Sequence, residues 1–434
     1  MVITWLVLMV FTAAAYFYGK RDFASPVFLL CISFWAMFSL ILCNYENWDI
    51  RTQGYHALTT LLLTVFMGAF FFGSLFVRKL TDLGDDDRQR RAGALIRERS
   101  EAPYPYGFFA ILSTVLLALY ILTSSGVPDL SSFPAFRNSL RAAYAAGKEY
   151  HFYTSQIFEM LTAAAYLALH RCMVDRFLRK RRIPLLSLVP ILCFLVFVLI
   201  STDRNMLVRF FISGLVLFIL SYRWDDLLHS GNRHLLRKLV LLVLAAAVVF
   251  WGFGKLKNYT SDFGRAISIY AGSGIYAFNL WLPRFDRHFT NGVYTFSTIR
   301  ETLSAFGIGT GSQAPDHLEF IIHLSPNGYV FATNVYSALR TYYQDFGVPG
   351  LVIIPFLSGG LFEALYQMGI RDKFGFWWLF YAAHVYPVIY YPIAEQFLLR
   401  FHLGLVYEIF WLAFFYLLVY SKRGLWQRKK VVFT

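Results

Sequence analysis

Apolar residues in this chain run in long blocks separated by short polar stretches. They show neither the 3.6-residue recurrence of an amphipathic helix nor the alternation of a half-buried strand. Eleven blocks stand out, at about 1–19, 25–43, 57–77, 106–124, 152–171, 185–201, 206–222, 239–254, 349–370, 375–393 and 402–420. Each approaches the roughly 20 residues that a helix needs to cross the hydrocarbon of a bilayer. Spanning strands would instead read as roughly ten-residue alternating segments. The pattern predicts an all-α polytopic integral membrane protein of about 11 transmembrane helices, with residues 1–434 as one membrane domain. Pro387 and Pro392 interrupt the tenth block.

Charge gives the blocks a direction. No basic residue precedes the first block, and Lys20 and Arg21 follow it, which is unlike a cleavable signal peptide. An N-terminus outside then places 20–24, 78–105, 172–184, 223–238, 371–374 and the C-terminal tail inside. Of the 40 basic residues, about 26 fall on the inside set and about 14 outside, the positive-inside bias. The net charge of +14 is thus mostly topological, which argues against nucleic acid as a partner. Segment 78–105 reads as a solvated cytoplasmic loop. Apolar residues make up 57% of the chain and charged ones 15%, against about a quarter charged in a soluble domain. Cys31, Cys43, Cys172 and Cys193 lie in or beside apolar blocks and form no CxxC pair, so no metal or redox site is indicated.

The outside charges are fewer, and topology does not explain them. The extracytoplasmic loop 125–151 carries Arg137 and Arg141, four apart and on one face of any helix there. A solvated helix on the lipid headgroups would look the same. The extracytoplasmic loop 255–348 is about ninety residues long, unusual for a connection without a function. It holds Arg265, Arg284, Arg340, Asp345 and His323, with aromatics such as Tyr276, Trp281, Tyr342 and Tyr343. Its glycines suggest short helices joined by turns, and 267–282 reads as an interfacial or re-entrant segment. The tight turn 201–207 (STDRNML) holds Asp203 and Arg204, which can also simply satisfy each other. Glu395 and Arg400 are either an ion pair or part of a site. Arginines at the outer membrane surface suit phosphate, because a guanidinium forms planar bidentate hydrogen bonds. Neighbouring aromatics suit sugar rings, although single ones also serve as interface anchors.

The stretch NVYSALRTYYQDFGVPG, 334–350, resembles the signature of bacterial oligosaccharide repeat unit polymerases, the Wzy-type polymerases of O-antigen, capsule and exopolysaccharide pathways. Ser337 stands where threonine is common. The turn STDRNMLV resembles that family's short arginine-containing turn between spans. The resemblance implies a fold similar to the GT-C type glycosyltransferases and O-antigen ligases. It implies an enzyme of the bacterial inner membrane with its site facing outward. That enzyme moves a glycan from undecaprenyl diphosphate onto the non-reducing end of an incoming lipid-linked repeat unit, without metal or other cofactor. A chain-length-regulating membrane protein is a further implied partner.

On that resemblance Arg204 and Arg340 are expected to hold the diphosphate, with Arg265 or Arg284 assisting. Arg137 and Arg141 are expected to guide the second lipid. Asp345 is the favoured base over Glu395 and His323. Asn334, Tyr336, Tyr343 and Glu395 are expected to line the substrate, with Tyr336, Arg340 and Tyr343 on one helix face. Two alternatives stay open. A ligase-like transferase would share fold and donor and differ in acceptor. A transporter of polysaccharide or lipid-linked oligosaccharide would place charges mid-span, where Glu159, Arg209, Glu363, His384 and Glu408 fall.

Overall fold

A computed structural model of the chain describes residues 1–19, 21–81, 104–124, 152–201, 204–224, 263–311 and 318–420. It also describes scattered positions within 131–139 and 237–252, and residue 314. These residues are mostly helical. Six helices are long and apolar enough to cross a membrane: Pro26–Cys43, Ala57–Thr81, Phe152–Leu178, Asn205–Tyr222, Val348–Arg371 and Leu403–Tyr420. Three shorter apolar helices, Val2–Tyr18, Tyr106–Leu122 and Leu185–Ser201, match three more of the expected segments. The chain is a membrane-embedded helical protein.

Two expected segments differ. Segment 239–254 lies outside the described residues except at scattered positions. Segment 375–393 is not one span: it forms Phe376–His384 and then the short helix Tyr386–Tyr390. Pro387 lacks an amide hydrogen and its ring crowds the preceding turn, so the ladder cannot run through it. Such irregular backbone is tolerated at membrane depth only inside protein, and Tyr386, Pro387, Val388 and Tyr390 are all buried.

The chain forms two compact units. The first comprises Met1–Gly84, Thr260–Gln367 and His384–His402, and the second Asp85–Tyr259, Met368–Ala383 and Leu403–Thr434. In the first, Ala57–Thr81 crosses Val348–Arg371 at backbone distance. A Cβ on Gly73 would lie 1.9 Å from the Phe356 carbonyl oxygen, and one on Gly359 would lie 2.2 Å from that of Phe70. Small residues permit this approach, and close packing is what holds helices together where lipid removes the hydrophobic drive. Buried Glu363 accepts hydrogen bonds across and along this pair, from Ser74 at 2.8 Å and Gln367 at 2.7 Å.

The long loop of the same unit contains one feature beyond short helices. Ile321–Leu324 (β1) and Val330–Thr333 (β2) form an antiparallel hairpin pairing Ile321 with Thr333 and His323 with Phe331. Asn327-Gly328 between alternating apolar residues is the hairpin signal in the sequence, and Gly328 takes φ +79°. The Ser273–Trp281 helix, expected to be interfacial or re-entrant, has all nine residues buried in protein.

In the second unit, the alanine-rich Phe152–Met173 helix packs against Tyr106–Ser124, Val189–Ser201, Arg204–Trp224 and Leu403–Tyr420. Arg209 donates to both Glu408 oxygens, at 3.2 and 3.0 Å, so two of the mid-span charges form a pair inside the unit.

Candidate functional site: a buried arginine between aromatic rings

The opening residues of the Asn334–Gly350 stretch leave β2 and turn at Ser337. Helix Ala338–Phe346 follows. Two long-range backbone bonds hold its start: Ser337 N–H donates to Gly274 O at 3.0 Å, and Ala338 N–H to Tyr391 O at 2.9 Å. The broken tenth segment therefore supplies a carbonyl that an intact helix would have kept for itself. The C-terminal carbonyls of a helix need outside partners. Here Gln344 O and Asp345 O accept from the N–H groups of Thr290 and Asn291, each at 3.2 Å. Gly347 ends the helix at φ +63°, a conformation that side chains resist. Val348–Arg371 then starts with Pro349 in its first turn, where a missing N–H costs nothing.

Arg340 projects from this helix into the protein and is only 4% exposed. Its guanidinium carbon lies 3.9 Å from the centre of the Tyr336 ring and 4.9 Å from that of Trp281. Nε donates to Gln344 Oε1 at 3.3 Å, and Nη2 lies 3.5 Å from Glu319 Oε1. Nη1 is buried and has no hydrogen-bond partner among the described residues. Burial pulls the guanidinium below its ordinary pKa, with Tyr336 and Glu319 opposing. The Tyr336 phenol is pushed up to about 12 by burial, with the charges of Arg340 and Arg284 pulling it back. Arg284 is therefore a second cation near the same ring, and it is exposed.

A buried cation is costly unless paired. Here the ring faces supply part of the compensation. Among the described residues the carboxylate bonded to it is Glu319, 59% exposed and screened by solvent. Nη1 is the nitrogen of the fork left without an oxygen acceptor among the described residues.

Other expected site residues fall elsewhere. Tyr336 precedes the helix rather than sharing its face, yet its ring still meets Arg340. Tyr343 is turned into an aromatic cluster with Phe278, Phe285 and Phe289, at ring-centre distances of 6.4, 6.0 and 6.4 Å. Asn334 is half-buried in the turn between β2 and the helix. Arg265 is exposed, stacks on Tyr329 at 4.4 Å and donates to Val330 O at 3.1 Å, so it braces the hairpin.

None of the three base candidates presents a free acceptor at Arg340. Asp345 is fully buried and accepts from the Thr290 hydroxyl, from Tyr294 N–H at 3.3 Å and from Thr295 N–H at 2.6 Å. Glu395 accepts from the Tyr342 hydroxyl and the N–H groups of Phe397 and Leu398 at 2.8 Å each, and from Leu399 N–H at 3.0 Å. It caps its own turn rather than pairing with Arg400, whose guanidinium lies 5.1 Å from the Tyr386 ring centre. His323 lies 3.2 Å from Asp49 on the inner side of the hairpin. Each was legible as a charge in a polar loop, and only the fold shows that N–H and hydroxyl donors occupy the two carboxylates and that a carboxylate faces the His323 ring.

Glu319 was missed because a lone acidic residue before an apolar strand carries no motif. Arg204 begins the Arg204–Trp224 helix of the second unit, and its side chain lies outside the described residues, as do Asp203, Arg137 and Arg141. Comparison with protein-family models, with curated proteins and with solved structures found no match to the chain.

Proposed function

We propose that the chain is a polysaccharide polymerase of the bacterial inner membrane, acting at its outer face. It would transfer a glycan from an undecaprenyl-diphosphate donor to the non-reducing end of a lipid-linked repeat unit. The observation that carries this reading is Arg340: a guanidinium sealed between Tyr336 and Trp281 with one nitrogen unpartnered among the described residues. It lies in the stretch that resembles repeat unit polymerases.

In the proposed step an acceptor hydroxyl attacks the anomeric carbon of the donor sugar. The bond from that carbon to the diphosphate oxygen breaks, and negative charge grows on the leaving group. A preorganised cation in a water-poor setting stabilises that charge more than it stabilises the ground state. Arg340 takes this role, and exposed Arg284 contributes a second charge from the rim. The acceptor proton needs a base with a free oxygen within reach. Glu319, exposed and already beside Arg340, fits where Asp345 does not.

The test is incubation of the purified full chain with lipid-linked repeat unit. Wild type should produce a ladder of chain lengths. Arg340→Lys should lose at least 100-fold in rate, about 3 kcal/mol of transition-state stabilisation, because lysine keeps the charge and loses the fork. An unchanged ladder from Arg340→Lys sinks the assignment. No ladder from wild type, with lipid-linked oligosaccharide moved across vesicles instead, sinks the polymerase reading in favour of transport.

A further inference from the structure

The second unit contains another buried arginine, and nothing in the proposed reaction uses it. Arg171 lies in the last turn of the Phe152–Met173 helix, within the membrane-crossing segment Phe152–Leu178, and has no solvent exposure. In the sequence it is one more basic residue beside the basic loop 172–184. In the fold it is enclosed. Its guanidinium carbon lies 5.5 Å from the Tyr104 ring centre and 5.9 Å from that of Tyr106. Nε contacts Asp175 Oδ1 at 3.3 Å and donates to the Tyr106 hydroxyl at 3.2 Å. Tyr106 in turn donates to Asp175 Oδ2.

Among the described residues, Asp175 is the carboxylate at this cluster. Arg179 Nη1 also approaches Asp175 Oδ1, at 3.4 Å, so one carboxylate serves two guanidiniums. The buried Tyr420 phenol is the neutral group that faces the Arg171 guanidinium. Both terminal nitrogens of Arg171, Nη1 and Nη2, are buried with no hydrogen bond of good geometry among the described residues. Those are the two donors of the outer fork, and fork geometry matches a tetrahedral oxyanion. The backbone is shaped for the cluster. Helix Phe152–Met173 passes into a π turn, Val174–Leu178, a rare distortion that recurs at functional sites. Arg181 N–H closes the turn onto Asp175 O at 2.9 Å. Half-buried Tyr106 and Arg179 mark the solvent side, with exposed Arg176, Lys180, Arg181 and Arg182 around them.

We infer that this cluster binds a phosphate group at the basic end of the span. The location, at the end of a membrane-crossing helix under tyrosine rings, favours the phosphodiester headgroup of an anionic lipid. Basic pockets between transmembrane helices bind such headgroups. The phosphate oxygens take Nη1 and Nη2 of Arg171, and Asp175, bonded to Nε, is the anion that competes for the same charge.

The experiment uses the purified full chain in a neutral detergent. Thermal unfolding and native mass spectrometry are followed during titration with short-chain phosphatidylglycerol, short-chain phosphatidylcholine or inorganic phosphate. Phosphatidylglycerol is expected to stabilise and to bind at least about tenfold tighter than phosphatidylcholine. Inorganic phosphate matching phosphatidylglycerol keeps the site and changes its source to free phosphate. Equal responses to the two lipids, with none to phosphate, overturn the inference. Arg171→Gln should abolish the preference, and an undiminished preference overturns it as well. Should Arg171→Gln fail to fold, two variants further out decide. Arg179→Gln should weaken phosphatidylglycerol about tenfold, and Asp175→Asn, which removes a competing anion, should tighten it. The reverse order for this pair overturns the inference.

Discussion

Replacing Asp345 separates a catalytic from a structural carboxylate. Its two oxygens hold three donors, the Thr290 hydroxyl and the N–H groups of Tyr294 and Thr295, in a pocket without solvent. These bonds fasten the 290–296 turn to the helix that carries Arg340. In Asp345→Asn one oxygen becomes an NH2 group, so at least one donor faces another donor. Losing a bond to a charged acceptor costs about 1.5–3 kcal/mol, and a stranded buried donor about 1–3 more. Partial relaxation brings the expected loss to about 3 kcal/mol, near a hundredfold shift in the folding equilibrium. Asp345→Ala should cost more, since all three donors lose their acceptor. The assay is denaturant unfolding of purified variants, paired with polymerisation rate per folded molecule. Stability should fall steeply for both, while the folded fraction of Asp345→Asn keeps its rate within about tenfold. If Asp345→Asn unfolds like wild type and loses its rate, Asp345 is the base and the reasoning from its occupied oxygens fails.

Glu319→Gln should lower polymerisation by about 10²–10⁴-fold with unfolding unchanged, because the side chain is exposed. A normal rate removes Glu319 as base. Trp281→Ala should cost about 3 kcal/mol or more in stability and weaken donor binding, since a ring beside the Arg340 guanidinium disappears; intact donor binding would show that the ring only packs. Gly73→Ala and Gly359→Ala should each destabilise by about 1–3 kcal/mol. The clash with a facing carbonyl exceeds the roughly 1 kcal/mol that alanine adds to a helix. Gly68→Ala on the same helix as Gly73 meets nothing within 4 Å and should stabilise. Equal effects at the three glycines, read as unfolding midpoints, would refute the close crossing.

The apolar blocks alone determined that the chain is helical and membrane-embedded, because block length against bilayer thickness is a local property. They also located most helix ends within a few residues. The Asn334–Gly350 stretch announced a polar helix and the glycine break after it, again from neighbours in sequence. Tertiary structure alone decided what each charge does. Arg340, Arg265 and Arg171 look alike as residues in the chain. One is sealed between rings, one braces a hairpin, and one is buried beside a carboxylate that it shares. Asp345, Glu395 and His323 read as candidate bases, Asp345 the favoured one, until the fold brought distant or local donors onto the two carboxylates and the Asp49 carboxylate onto the His323 ring. The break at Pro387 was visible in the sequence, but not its use: a carbonyl of that broken segment, at Tyr391, pins the helix that carries Arg340. Sequence pattern reports propensity and exposure averaged along the chain, whereas an electrostatic site depends on which distant donors and rings surround one group.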